Sequence, residues 1–369
     1  MALEPVKTAV IGCGYISNIY LQNAATWDIL DVVACSDIDL SRARSQAEKF
    51  NIPRAIPVAD VLADPDIELI INLTIPAAHS EVGLAALRAG KSVYSEKPLA
   101  IRREDGQLLL AEARTRGLRV GCAPDTFLGG GLQTCRKLID EGTLGKPVGA
   151  IAHMLTRGPD HWHPDPEFLF KVGAGPLFDM GPYYLTALIT VFGPVRRVTG
   201  SARITYPERT IRSGPKSGAK IKVEAPTHIA SVLDFVSGPI ATLVTSFDVW
   251  DRMIPSVEVY GSEGTMTVPD PNTFAGPVRL RRAGDEKGSE VPLTHGHTEN
   301  GRCIGAADMA YAIRTGRPHR ANGDMAFHVL DVMHAVLEAS NTGQHIELSS
   351  TCDVPAPLPE GLPERRFGA

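Results

Sequence analysis

The stretch Val6-Lys7-Thr8-Ala9-Val10-Ile11-Gly12-Cys13-Gly14-Tyr15-Ile16-Ser17 decides how this chain is read. An apolar run interrupted only by Lys7 and Thr8 stops at a glycine, and two glycines one residue apart open a helix-compatible segment. Strand, glycine turn and helix in that order form the first unit of a dinucleotide-binding sheet. Glycine allows the tight turn and lets the backbone approach a pyrophosphate, whose charge then rests on the helix N-terminus. Ser17 stands where a third glycine is usual and is small enough for close helix packing. A lone GxGxxS also fits a plain turn, so the context matters. Asp37 follows roughly 20 residues on, at the end of the next strand, where a carboxylate can bind a ribose diol. The competing reading makes Asp37 a strand-end turn residue. Asp39 adds a second negative charge, and both disfavour a 2′-phosphate, so NAD is expected rather than NADP.

Outward from that turn, short apolar strands alternate with amphipathic helices. Strands are expected at Asp31 to Cys35, Leu69 to Leu73, Val93 onward and Leu118 to Cys122. Helices are expected from about Ala78 to Ala89, closed by Gly90, and from Glu104 to Arg116, closed by Gly117. That order argues for a parallel sheet with helices on both faces. After Ala123 the pattern changes. A helix over Leu132 to Glu141 precedes segments of period-two alternation. In Ile229 to Phe235 the residues Ile229, Ser231, Leu233 and Phe235 share one side, and Ala230, Val232 and Asp234 the other. Ala241 to Phe247, Ser256 to Tyr260 and Thr265 to Val268 add strands, and helices return at Ala306 to Arg314 and Met325 to Ser340. The expectation is a Rossmann α/β domain over residues 1–123 and an α+β domain over 124–369. The second would carry an open, mostly antiparallel sheet with helices on one face. The proline-rich tail from Val354 is expected to lie extended on the surface.

Composition bounds the function. The chain has 369 residues, enough for two cores, and a net charge of −5 that gives no reason to expect nucleic acid or an anionic membrane as partner. No apolar stretch is long enough to span a bilayer, and the N-terminus lacks the pattern of a signal peptide. Six cysteines without CxxC spacing suggest reduced thiols, no metal and a cytoplasmic setting.

Three further segments carry chemistry. Ser95-Glu96-Lys97-Pro98 follows the strand at Val93 and presents Lys97 at the carboxyl ends of the strands, where open α/β sheets bind ligands. A solvated Lys beside a Glu is the bland alternative. Gly173-Ala174-Gly175-Pro176-Leu177-Phe178-Asp179-Met180-Gly181-Pro182-Tyr183-Tyr184 leads into a helix on which Asp179 and Tyr183, four apart, share a face. An acid and a phenol there suit proton transfer and hydroxyl binding; a capping acid and a core aromatic are the alternative. Asp160-His161-Trp162-His163-Pro164 pairs an aromatic with two imidazoles. Without further ligands at metal spacing, His161, Trp162 and His163 suit the face and hydroxyls of a sugar ring, or simply anchor a surface loop.

Together with Thr74-Ile75-Pro76 and His79, these segments occur in the order and at separations that resemble the Gfo/Idh/MocA family. That family takes its name from glucose–fructose oxidoreductase, inositol dehydrogenase and a rhizopine-catabolism protein. The resemblance implies an N-terminal Rossmann domain, a C-terminal domain on an open sheet often used for dimerisation, and NAD(P)-dependent oxidation or reduction of a sugar or cyclitol. A homodimer or homotetramer is therefore expected. Cofactor contacts are expected from Gly12, Gly14, Tyr15, Ile16 and Asp37, and by resemblance from Thr74, Pro76, His79, Glu96 and Lys97. Lys97 matches the family lysine that contacts substrate near the nicotinamide, and Asp179 its substrate-binding acid. The position of the usual catalytic histidine is Tyr183, and the following acid position is Thr186. Tyrosine there resembles glucose–fructose oxidoreductase and dihydrodiol dehydrogenase-like members rather than inositol dehydrogenases. A free phenol titrates near 10, and a nearby ammonium favours its phenolate. The expected catalytic set is thus Tyr183 as acid/base, Lys97 tuning it and Asp179 positioning a hydroxyl. An NAD-binding regulator without turnover and a glycoside hydrolase using tightly held NAD are the alternatives.

Overall fold

A computed structural model describes residues 3–362 and Phe367. The chain forms two compact units. One comprises Met1–Gly129, His295–Leu330 and Leu358–Ala369, the other Gly130–Thr294 and Asp331–Pro357.

In the first unit the strands are β1 (Val6–Ile11), β2 (Leu30–Ser36), β3 (Arg54–Ala55), β4 (Leu69–Asn72), β5 (Ser92–Ser95) and β6 (Val120–Cys122). They pair in parallel in the order β3-β2-β1-β4-β5-β6. The connecting helices are α1 (Ser17–Ala24), α2 (Leu40–Phe50), α3 (Val58–Ala63), α4 (His79–Arg88) and α5 (Arg103–Arg116). The strands are apolar almost throughout because helices cover both faces, and Ala9, Ile11, Ile70, Val93, Leu87 and Leu109 share one core. Strand order reverses between β1 and β4, and such a switch point opens a crevice at the carboxyl ends of the strands.

In the second unit come α6 (Gly130–Asp140), β7 (Pro147–Leu155), α7 (Gly175–Phe192), β8 (Val195–Arg203), β9 (Glu208–Thr210), β10 (Lys220–Lys222), β11 (His228–Phe235), β12 (Ile240–Ser246), β13 (Val257–Gly261), β14 (Gly264–Val268), β15 (Val278–Arg282) and β16 (Ser289–Val291). Further along the chain stand α8 (Ile304–Thr315), which belongs to the first unit, α9 (Gly323–Thr342), which runs from the first unit into the second, and β17 (Ile346–Glu347) in the second. Nine strands form one sheet in the order β16-β15-β14-β13-β7-β12-β11-β8-β17, antiparallel except where β7 meets β12. The alternation in β11 is as expected: Ile229, Ser231, Leu233 and Phe235 are buried, and Ala230, Val232 and Asp234 are not.

The parallel Rossmann sheet and the mostly antiparallel second sheet are both present. Two details differ from the sequence reading. That reading places everything after residue 123 in one domain, whereas α8 and the first part of α9 belong to the first unit, whose boundary falls inside α9 between Leu330 and Asp331. Asp125 Oδ2 accepts from the N–H groups of Cys303 and Gly305, both at 3.0 Å, and so fastens the start of α8 to that unit. The tail from Val354, expected to lie extended on the surface, also has buried residues. Leu358 and Phe367 are buried, and the Phe367 ring stacks on Trp27 with centroids 5.0 Å apart. Burying these two large apolar side chains removes apolar surface from water.

Candidate active site

The glycine turn is built from its backbone outward. Gly12 adopts φ +101°, and a Cβ there would meet the Leu73 carbonyl carbon at 2.5 Å and the Thr74 nitrogen at 2.7 Å. Only glycine lets the loop after β1 lie against the loop after β4. A Cβ on Gly14, by contrast, would meet nothing within 4 Å. Ser17 is fully buried and donates its hydroxyl to the Gly14 carbonyl at 2.6 Å, so the third small position closes the turn itself. Tyr15 is almost wholly exposed and Ile16 partly so. No side chain caps α1 and no acid stands in its first turn, which leaves its positive end to an anionic ligand.

Asp37 is half-buried at the end of β2. Its Oδ2 accepts from the Cys13 N–H at 2.7 Å and its Oδ1 from the Asp39 N–H at 2.9 Å. The carboxylate thus braces the glycine turn. Asp39 caps α2, accepting from the Ser41 N–H at 3.0 Å and its hydroxyl at 2.6 Å, and these bonds hold its carboxyl below the usual range.

Behind the Lys97 turn lies a polar network. His79 is buried, with Nδ1 2.7 Å from the Pro98 carbonyl and Nε2 2.9 Å from the Thr74 carbonyl. Burial pushes its pKa down, so the neutral ring donates to one carbonyl. It ties the loop after β4 to the turn after β5. Pro76 opens a single turn of 3₁₀ helix leading into α4. Glu96 is buried; its Oε1 accepts from the Tyr20 hydroxyl at 2.7 Å and its Oε2 from the Lys97 N–H at 3.0 Å. Lys97 itself is half-buried and precedes a cis proline. Asn72, fully buried, donates to the His79 carbonyl at 3.0 Å and accepts from the Thr74 hydroxyl at 2.7 Å. Tyr20 and Asn72 are absent from the sequence reading.

In the second unit, Gly175 at φ +82° opens α7, where a Cβ would meet the Pro226 carbonyl oxygen at 2.6 Å. The N-cap of α7 is Ala174, so Asp179 is not a capping acid; it stands one turn before Tyr183 on the same helix. Asp179 is half-buried, and Tyr183 and Thr186 are buried. The structure therefore brings Gly12, Gly14, Asp37, Thr74, His79, Glu96 and Lys97 together in the first unit, and Asp179 with Tyr183 in the second. His161, Trp162 and His163 follow β7. Trp162 is exposed and meets the His163 ring edge-on at 5.4 Å, and His163 Nδ1 accepts from the Asp165 N–H at 3.0 Å. Among the described residues no group of three or more His, Cys, Asp or Glu is placed to hold a metal, and no helix is long and apolar enough to cross a membrane. All six cysteines are free and buried.

A Rossmann sheet with a confined glycine turn, an uncapped helix start and a strand-end carboxylate defines an NAD-binding oxidoreductase domain. Comparison with known proteins agrees. Residues 6–123 match the oxidoreductase family with an NAD-binding Rossmann fold, and residues 132–267 match the GFO/IDH/MocA C-terminal domain. The chain belongs to the Gfo/Idh/MocA oxidoreductase family. Among its relatives, 1,5-anhydro-D-fructose reductase of Ensifer adhaerens is 26% identical over 93% of this chain and 99% of its own. Trans-1,2-dihydrobenzene-1,2-diol dehydrogenase of Bos taurus is 28% identical over 73% of this chain and 74% of its own. An NAD binding oxidoreductase from Klebsiella pneumoniae shares the fold with a TM-score of 0.81 at 19% identity, covering 94% of this chain and 100% of that one. A levoglucosan dehydrogenase solved with NADH and L-sorbose does so at 0.80 and 19%, covering 94% and 99%.

Proposed function

We propose that the protein transfers a hydride between NAD and a CH–OH carbon of a sugar, glycoside or cyclitol. When bound, the nicotinamide supplies the hydride acceptor or donor; the protein supplies the proton chemistry. In oxidation, Tyr183 takes the hydroxyl proton, the Lys97 ammonium favours its phenolate, and Asp179 accepts from a neighbouring hydroxyl and so orients the ring. Glycine turn and Asp37 hold the dinucleotide, and the carboxylates of Asp37 and Asp39 repel a 2′-phosphate, which favours NAD over NADP. The observation that carries the reading is the placement of an acid and a phenol one turn apart on α7, opened by Gly175. Relatives named as a reductase of an anhydro-sugar and a dehydrogenase of a diol support the substrate class.

The test is turnover with NAD and NADP over a panel of sugars, glycosides and cyclitols, followed by NADH absorbance. Tyr183→Phe should lower kcat by about 10²-fold, the usual scale of acid/base catalysis. A Phe variant with full turnover ends the assignment. Product formation without net NADH would identify the NAD-using hydrolase instead, and NAD binding without any turnover the regulator.

We also infer that two copies associate through the open face of the nine-stranded sheet. Ile151, Thr242, Val232 and Thr199 stand in one cross-strand row there and are only partly covered. A row of uncharged β-branched side chains of this kind suits an isologous interface.

A further inference from the structure

The loop after β7 holds a second cluster that proton transfer does not use. The Arg157 guanidinium lies 4.3 Å from the centre of the Trp250 ring, and the His161 ring meets the same indole edge-on with centroids 5.9 Å apart. Trp250 is nevertheless 75% exposed. Beneath them Arg209 is almost fully buried and fully engaged. It binds Asp160 at 2.8 and 3.2 Å, Asp248 at 2.7 Å, and the carbonyl oxygens of Arg157 and Phe247 at 2.5 and 3.1 Å.

Arg157 has no such supply. Among the described residues no carboxylate pairs with it, and its Nε is buried without an acceptor. His161 Nε2 is also buried without a hydrogen-bond partner, with Asp160 Oδ2 3.9 Å away. Partly desolvating a guanidinium without giving it an acceptor is costly, and proteins rarely leave such groups unpaired. Its place over the indole ring positions the guanidinium, whose planar fork can bind an oxyanion with two hydrogen bonds. Arg212 adds an exposed guanidinium facing His161, and burial disfavours a charge on that imidazole. Around His161, the three guanidinium groups of Arg157, Arg209 and Arg212 and the carboxylates of Asp160 and Asp248 sum, among these five groups, to one positive charge. A single positive charge suits a carboxylate better than a phosphate, which approaches two negative charges near neutrality. The exposed part of the Trp250 ring offers an apolar platform for the C–H face of a sugar.

We propose that Arg157, His161 and Trp250 form a carboxylate-binding subsite and that the substrate is a sugar acid, a uronate or aldonate. This deepens the dehydrogenase reading and rests on it for the reaction, though not for the binding. The experiment is calorimetric titration of the NAD-loaded protein with D-glucuronate, D-gluconate, D-glucose and D-glucose 6-phosphate, with NADH absorbance followed separately. At least one acid should bind about tenfold or more tighter than glucose, as a charge-assisted pair gives. Arg157→Met should bring that ratio to about one, and Arg157→Lys, which keeps the charge but not the fork, should retain part of it. The Lys variant still reads the site if the Met variant does not fold. Equal binding of acid and neutral sugars, or a full preference surviving in either variant, overturns the proposal. Tighter binding of glucose 6-phosphate than of both acids overturns the carboxylate assignment. Acid-selective binding with no NADH from any sugar sinks the dehydrogenase reading and leaves the subsite standing. NADH from neutral sugars without acid preference does the reverse.

Discussion

The phenol of Tyr20, in the helix after the glycine turn, donates to Glu96 Oε1 at 2.7 Å, while Glu96 Oε2 accepts from the Lys97 N–H at 3.0 Å. The first helix therefore clamps the carboxylate that precedes Lys97. Burial, and next the Glu96 charge, push the Tyr20 pKa well up, so the phenol remains a donor at any ordinary pH. Tyr20→Phe leaves a buried carboxylate oxygen without its donor and should cost about 1–3 kcal/mol. Urea denaturation measures that loss directly. If Lys97 acts as proposed, kcat should fall as well, because the turn that presents the lysine loses one of its two anchors. A variant as stable and as active as the parent would mean that Glu96 finds another donor.

Asp125 offers a prediction in pH. Burial, as the largest influence, raises its carboxyl to about 6, against the pull of the Gly305 and Cys303 N–H groups and of Arg302. The folded value lies above the unfolded one of about 3.9. The native state therefore binds more protons than the unfolded chain between those values. The contribution of Asp125 is fully present below about pH 4 and is lost as pH rises through about 6. The gap between about 3.9 unfolded and about 6 folded corresponds to about 3 kcal/mol. Asp125→Asn keeps an acceptor oxygen for α8 but does not titrate. Relative to the parent, it should gain up to about 3 kcal/mol between about pH 4 and pH 7. Paired urea melts at the two pH values check this, and a difference that does not change with pH would refute it.

How much of this was legible beforehand follows from what each residue depends on. The glycine turn, Asp37 and the Gly90 and Gly117 helix ends are legible because each leaves a short signature, glycines after an apolar run, an acid at a strand end or a glycine closing a helix; Gly90 and Gly117 indeed have φ of +79° and +64°. β11 was legible because one face is buried and the other is not. β7 and β8 were missed although both are internal strands of the second sheet. β7 reads as a nearly continuous apolar run with weak alternation. β8 carries three arginines and Gly200, where a Cβ would stand 3.0 Å from Val336 Cγ1 and 3.1 Å from the Val336 carbonyl oxygen. Nothing local to that segment announces the helix lying on it. The same holds at the site. Tyr20, Asn72, Arg157 and Trp250 matter through partners distant in the chain, and only an exposed Trp in the polar loop Asp248-Val249-Trp250-Asp251 offered a hint.

Substitution can separate the brace that Asp37 provides from the cofactor selectivity proposed for it. Its Oδ2 braces the Cys13 N–H, and its charge is proposed to select the ribose diol. Asp37→Asn retains an acceptor for Cys13 and drops the charge, whereas Asp37→Ser drops both. Both variants should lose about tenfold or more in kcat/KM with NAD, the scale of a hydrogen bond to a charged group. The NADP to NAD preference should rise in both, since the repulsion toward a 2′-phosphate is gone. Only the Ser variant should also lose stability, because only there does the turn lose its brace. Unchanged cofactor preference in both would mean that Asp37 serves the turn alone.

The open sheet face makes the last prediction. Val232 stands opposite Thr242 on β12 and Thr199 on β8, with Ile151 next in the row, and all four are only partly buried. In the proposed isologous interface each Val232 lies near its symmetry mate or the mate's row, so one substitution acts on both partners. Val232→Glu places a charge on each copy within an apolar contact, where desolvation and mutual repulsion both oppose association. Sedimentation of the parent should give a dimer or tetramer, and the variant should dissociate at micromolar concentration. NAD binding should survive, because the glycine turn belongs to the other unit. A parent that sediments as a monomer, or a Glu variant with an unchanged oligomeric state, would remove this face as the interface.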